Sequence, residues 1–159
     1  MSKMNDLERN GLTLSSTAFE EGKDLPVKYT CDGDNISPPL TISGVDEEAR
    51  SLVLTMDDPD APTGVFDHWI VFDILPETTD IPEGQDPDGT LGVGTSGNIG
   101  YYGPCPPVGE RHRYLFTLYS LDALLNLSEG VTKDDVMVAM TGNVLQKIVL
   151  PTHFKRRGV

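Results

Sequence analysis

Arg113-Tyr-Leu-Phe-Thr-Leu-Tyr-Ser-Leu121 decides the fold. The stretch is aromatic, aliphatic and Thr-rich, with neither Gly nor Pro, so it predicts a long β-strand on a pleated, well-buried surface. Ser51-Leu-Val-Leu-Thr-Met56 reads the same way, with Leu52, Leu54 and Met56 on one face and Val53 and Thr55 on the other. His68-Trp-Ile-Val-Phe-Asp-Ile-Leu75 is apolar on both faces, which places it centrally in a sheet. Leu12 to Ser15, Val27 to Thr30 and Leu40 to Ser43 add shorter predicted strands. A Gly/Pro/Asp-rich region runs from Pro76 to Pro107, and irregular stretches of that length in a compact domain are usually functional.

Near the end the pattern changes period. Thr132 is placed to cap a helix, and Asp134 and Asp135 suit its first turn, where the helix dipole favours acids. Val136, Met140, Val144 and Ile148 recur at helical spacing, so the expected helix runs on through Ile148 and stops before Pro151. Gly142 would weaken it by about 1 kcal/mol relative to Ala. Strands dominate and do not alternate with helices. The expected fold is therefore an antiparallel Greek-key β-sandwich with a peripheral C-terminal helix.

The chain has 159 residues, enough for about one domain, and residues 1–159 are read as a single one. Sixteen Gly and twelve Pro supply the turns that many short strands require. Residues 1–10 carry no hydrophobic stretch, so they are expected to be a flexible terminus with no secretion signal. No apolar run approaches the roughly 20 residues of a membrane span, and the expected location is cytoplasmic.

Formal net charge is −13, and it is uneven. Between Glu20 and Asp88 stand 18 acids against Lys23, Lys28 and Arg50, while the rest of the chain is close to neutral. Such a field repels nucleic acid and opposes stable docking on anionic membranes. The two cysteines, Cys31 and Cys105, form no zinc-type pair. Buried free thiols are the first expectation, with a Cys31–Cys105 bridge left open because both lie in Pro/Gly-rich loops.

Three segments join special backbone to titratable side chains: Asp57-Asp58-Pro59-Asp60-Ala61-Pro62, His68-Trp69, and Gly100-Tyr-Tyr-Gly-Pro-Cys-Pro-Pro107 running on to Gly109-Glu-Arg-His112-Arg113-Tyr114. Imidazole N–H groups and a tyrosine hydroxyl are donors that suit an oxyanion. A neighbouring aspartate would orient an imidazole and raise its pKa. Within Gly103 to Pro107 only Gly103 and Cys105 own a backbone N–H, which the prolines would hold rigidly. Arg113 follows His112 in a strand, so it points to the opposite face as a structural ion-pair partner.

Together with Tyr29-Thr-Cys-Asp-Gly33, Ser37-Pro-Pro-Leu40 and the terminal Phe154-Lys155-Arg156, these motifs resemble the phosphatidylethanolamine-binding proteins, and most of all their bacterial and archaeal Raf-kinase-inhibitor-like branch. The resemblance covers nearly the whole chain. It implies that Asp58, His68, His112 and Tyr114 line a small anion site, walled by the Gly103–Pro107 loop with Pro106 and the Cys105 amide. It also implies that Asp60 and Pro62 shape the opposite rim, where a cis proline stays open. Members bind phosphate-like anions or phospholipid head groups, and several inhibit kinases or serine proteases by protein contact. Two departures stand out: Asp73 where Asn is common, and Leu150-Pro-Thr-His-Phe154 where a Gly-Thr-Tyr-like run is usual.

The leading expectation is a non-catalytic binder of a small anionic or phosphorylated ligand, with no cofactor and no resident metal. A kinase or protease partner and a homodimer stay open. The competing readings are a His/Asp metal-dependent hydrolase and an interaction protein that uses its acidic face. A Ser-His-Asp hydrolase is disfavoured because no Gly-x-Ser-x-Gly elbow occurs.

Overall fold

The computed structural model describes residues 11–157, so the expectation for residues 1–10 lies outside it. Two antiparallel sheets face each other. The smaller has the order β1 (Thr13–Ser15), β2 (Leu40–Ser43), β5 (Asp80–Ile81). The larger has the order β6 (Thr90–Leu91), β4 (Phe66–Ile74), β3 (Ser51–Asp58), β7 (Arg111–Leu121), β8 (Val144–Lys155). Within this sheet the chain passes through β3, β4 and β6 in turn, crossing to β5 of the smaller sheet between the last two, and β7 then returns to lie beside β3. That is the Greek-key order. No helix among the described residues is long and apolar enough to cross a membrane.

Both faces of the large sheet are covered, which explains why all eight positions of β3 are buried. One face packs Leu52, Leu54, Met56, Trp69, Phe116 and Leu118 against Leu14, Leu40 and Ile42 of the small sheet. The other packs Val53, Ile70, Phe72 and Leu121 against Val136 and Met140 of helix α1 (Lys133–Met140). Thr132 caps α1 as expected. Its side chain accepts from the Asp135 N–H while the Asp135 carboxylate accepts from the Thr132 N–H, a capping box worth about 1 kcal/mol.

Two expected elements are corrected. Val27–Tyr29 is a 3₁₀ turn, not a strand: the Pro26 carbonyl accepts from Tyr29 N–H, and Val27 accepts from both Thr30 N–H and the Thr30 hydroxyl. The helix ends at Met140 because Gly142 takes a φ of 84°, the left-handed conformation that stops helices. Val144 and Ile148 therefore belong to β8, which pairs with β7 from Arg111–Lys155 to Leu121–Val144. Pro151 is tolerated because β8 is an edge strand, and its carbonyl accepts from Gly22 N–H on the outer side. The Pro76–Pro107 region contributes β5, β6 and an isolated Val93–Ile99 bridge.

Asp73 also finds its explanation in the backbone. It has a φ of 53°, and its carboxylate accepts from the Leu125 and Asn126 N–H groups. Asp and Asn tolerate this conformation better than most residues. Its charge holds a loop and does not line the cavity described next.

Candidate functional site

The C-terminal end of β3 and the N-terminal ends of β4 and β7 meet at one edge of the inter-sheet layer. They open there on a cavity of ≈ 370 Å³, small for a ligand site. Strand alternation delivers His112 and Tyr114 to it from β7, with exposed Arg111 and Arg113 turned away. Asp58 comes from the end of β3. His68 arrives by a different device. Met56 pairs with Trp69 and Asp57 with Asp67, so His68 is the extra residue of a β-bulge, a feature that re-aims side chains at functional edges.

Seven of the nine expected site residues line the cavity: Asp58, Pro62, His68, Cys105, Pro106, His112 and Tyr114. Asp60 and Gly103 do not. Asp60 binds Arg113 through its backbone N–H, Nε and Nη2, at 2.8, 3.0 and 2.9 Å. Those hydrogen bonds hold its carboxyl down at about 2. Asp60 is thus the ion-pair partner expected of Arg113. Gly103 spends its N–H on Asn35 Oδ1 at 2.8 Å and packs so closely that a Cβ would lie 2.4 Å from both Asn35 Oδ1 and the Tyr29 carbonyl. It is a packing residue and offers no donor to the cavity. No peptide bond among the described residues is cis.

Cys31 and Cys105 are joined, which corrects the free-thiol expectation. The bridge and a Cys31 N–H to Pro104 carbonyl bond of 3.0 Å fasten the proline wall to the 3₁₀ turn. The Cys105 N–H itself has no hydrogen-bond partner among the described residues.

The two histidines are chemically unlike. Nδ1 of His68 lies 2.5 Å from the Tyr102 carbonyl, which can only accept, so Nδ1 carries the proton. In the neutral ring, Nε2 is then an acceptor. Burial lowers the His68 pKa below its ordinary value, outweighing the Tyr102 hydrogen bond and the charges of Asp58 and Asp57. His112 has Nδ1 at 2.7 Å from Asp58 Oδ2 and Nε2 at 2.9 Å from Glu110 Oε1. Burial opposes its charge, but the hydrogen bonds it donates to both carboxylates prevail and its pKa is raised. The other Asp58 oxygen accepts from Asp60 N–H at 2.8 Å.

Tyr114 is fully buried, and its hydroxyl has no hydrogen-bond partner among the described residues. Burial, followed by the nearby Asp58 carboxylate, pushes its ionisation above the ordinary range, so the phenol stays protonated. The two groups are close enough to interact electrostatically, but their approach lacks hydrogen-bond geometry.

Glu110, Phe66 and Tyr102 were not among the expected site residues. The Phe66 and Tyr102 rings flank the His68 ring, with centroids 4.7 and 6.2 Å away. Glu110 and Phe66 each stand two residues ahead of an expected histidine, a period-two signal that could have found them. Tyr102 carries no comparable signal. Among the described residues none after Tyr114 lines the cavity, so the Leu150–Phe154 departure does not touch it. Among the described residues, no three His, Cys, Asp or Glu side chains converge as metal ligands.

Comparison with known proteins supplies relatives for this arrangement. Residues 15–155 match the family model described as phosphatidylethanolamine-binding protein. A UPF0098 protein of Methanothermobacter thermautotrophicus is 48% identical over 151 residues, covering 91% of this chain and 99% of that one. A UPF0098 protein of Chlamydia trachomatis is 44% identical over 139 residues, with 84% and 92% covered. Among solved structures, a putative phosphatidylethanolamine-binding protein homologue from Chlamydia trachomatis superposes with a TM-score of 0.88 at 41% identity, over 92% of this chain and 99% of that one. Escherichia coli YbcL, described as a member of the mammalian family of that name, superposes with a TM-score of 0.84 at 27% identity, over 91% and 98%.

Proposed function

Because the chain belongs to the phosphatidylethanolamine-binding protein family, we propose that its cavity binds a small phosphate-like anion or phosphorylated head group without transforming it. The observation that carries this reading is the buried Tyr114 hydroxyl, left without a partner among the described residues where the Cys105 N–H is also unpaired. A buried polar group without a partner costs about 1–3 kcal/mol, and a bound oxyanion would recover that cost at the Tyr114 hydroxyl while also accepting from the Cys105 N–H. A kinase or protease partner, bound through a carboxylate or phosphate placed in the cavity, extends the same reading.

A metal-dependent hydrolase is the second reading. It is harder to build here, because both His112 nitrogens are committed to carboxylates and His68 Nδ1 to a carbonyl. A metal could reach His68 through Nε2, but gaining His112 as a second imidazole ligand would break one of its carboxylate bonds.

His68 makes the proposal testable by pH. Its Nε2 becomes a donor to an anion only when the ring takes a second proton. Burial has lowered the pKa at which that happens, so the free protein stays neutral there at pH 7. Anion affinity should therefore climb as pH falls below the ordinary histidine range, by up to about tenfold per pH unit, with one proton taken up per anion. Sulfate is the suitable probe, since its own charge is constant across the neutral range. Isothermal titration in two buffers of different ionisation heat would read both effects. A flat affinity profile with no proton uptake would contradict the role given to His68.

A further inference from the structure

Glu110 stands where neither the lining of the cavity nor the fold requires it. Its side chain is 52% exposed, yet it reaches His112 Nε2 at 2.9 Å. Its backbone is pinned from the far side: Gly109 N–H donates to the Arg156 carbonyl at 2.7 Å, and Arg156 N–H donates to the Glu110 carbonyl at 3.2 Å. The C-terminal segment thus presents this carboxylate to the histidine. With Asp58 on Nδ1 and Glu110 on Nε2, both N–H groups of His112 are spent on protein anions.

A ring in that condition cannot donate to a third anion. The donors left for a ligand are the Tyr114 hydroxyl, the Cys105 N–H and, when protonated, His68 Nε2. The electrostatic balance is also unfavourable, because one imidazolium between two carboxylates leaves a net negative charge beside a site meant for anions. Asp60, the further acid near His112, is neutralised by Arg113. Tyr114 stacks near the ring, at 6.5 Å between centroids, and contributes no charge. Glu110 is therefore the most exposed acid of the group, and its carboxylate bonds only His112 among the described residues, so it can turn into solvent by breaking that one contact.

Building on the anion-binding reading above, we infer that Glu110 is a tethered competitor of the ligand, a residue that sets the affinity and selectivity of the site by occupying the His112 Nε2 donor. An anion that gains this donor must displace the Glu110 carboxylate into solvent. Small, weakly charged anions that use only Tyr114 and Cys105 bind without displacing it. Anions able to use His112 as well bind only if that added charge-assisted hydrogen bond outweighs the one broken.

The test is a sulfate titration of the wild type, Glu110→Gln and Glu110→Ala at one pH and ionic strength, with imidazole NMR titration of His112 in each protein. Glu110→Ala frees the donor and removes a charge, so sulfate should bind about tenfold more tightly. Glu110→Gln keeps an acceptor but not the charge and should fall between. The His112 pKa should drop in both variants, because one of its two carboxylate partners is gone while Asp58 remains. Equal or weaker sulfate binding by Glu110→Ala than by wild type would overturn the competitor role and leave the anion site standing. Absence of sulfate binding in all three proteins would overturn both. An unchanged His112 titration would also overturn the inference, since it would mean that the Glu110 contact does not persist in solution.

Discussion

Replacing Cys31 and Cys105 together by serine is expected to lower the unfolding free energy by about 4 kcal/mol. The bridge spans a sequence separation of 74 residues, and closing a loop of that length removes roughly this much entropy from the unfolded chain. At about 2–4 °C per kcal/mol for a domain of this size, the melting temperature should fall by roughly 10 °C. Calorimetry of the double variant, or of the wild type with and without a thiol reductant, reads the effect. The folded wall of the cavity should survive the loss, because the Cys31 N–H to Pro104 and Gly103 N–H to Asn35 bonds remain. An unchanged melting temperature on reduction would mean that the two sulfurs are not joined in the folded protein.

The second large effect is expected at Asp58. Its side chain and that of His112 are each only 5% exposed, and the 2.7 Å bond between them holds the imidazole. Asp58→Ala leaves a buried ring with one anchoring carboxylate and strands the Asp60 N–H that Asp58 now accepts from. Losing one partner of a buried charged pair costs about 3 kcal/mol, more than the pair's net contribution, because the other charge stays buried. The sign of the pH dependence follows from His112. Its folded pKa is raised, so its contribution to stability is complete below the unfolded histidine value and fades as pH rises through the folded one. The gap between wild type and Asp58→Ala should thus be widest in mild acid and narrow towards alkaline pH. Urea unfolding at several pH values would check this, and a loss under about 1 kcal/mol at every pH would contradict the buried pairing.

Much of the architecture was legible from period alone. Arg113–Leu121 and Ser51–Met56 are long enough, and free enough of Gly and Pro, that only a strand fits them. The last third was misread for a definite reason. Val136, Met140, Val144 and Ile148 are spaced by four, which satisfies a helix, while the even spacing between Val144 and Ile148 also satisfies a strand. Gly142, at a φ of 84°, decides between the two, and β8 then gains a full ladder with β7 that no local propensity reveals.

The site divides in the same way. Residues gathered by strand ends and proline loops, such as Tyr114 and Cys105, could be anticipated, since alternation and rigid turns fix where they point. Asp60 and Gly103, expected at the rim, are committed to Arg113 and Asn35, partners that lie far away in sequence and could not be read from it. The His68 bulge, which turns that ring into the cavity, depends on pairing with β3 and leaves no mark in the local sequence. Glu110 was within reach of a period-two argument, but its consequence depends on which His112 nitrogen it meets.

A crystal of the wild-type protein grown or soaked in sulfate at mildly acidic pH would test the central claim most directly. Tetrahedral density within hydrogen-bond distance of the Tyr114 hydroxyl, the Cys105 N–H and His68 Nε2 is the expected result. A cavity that holds only water at a sulfate concentration high enough to order the ion elsewhere on the molecule would contradict it.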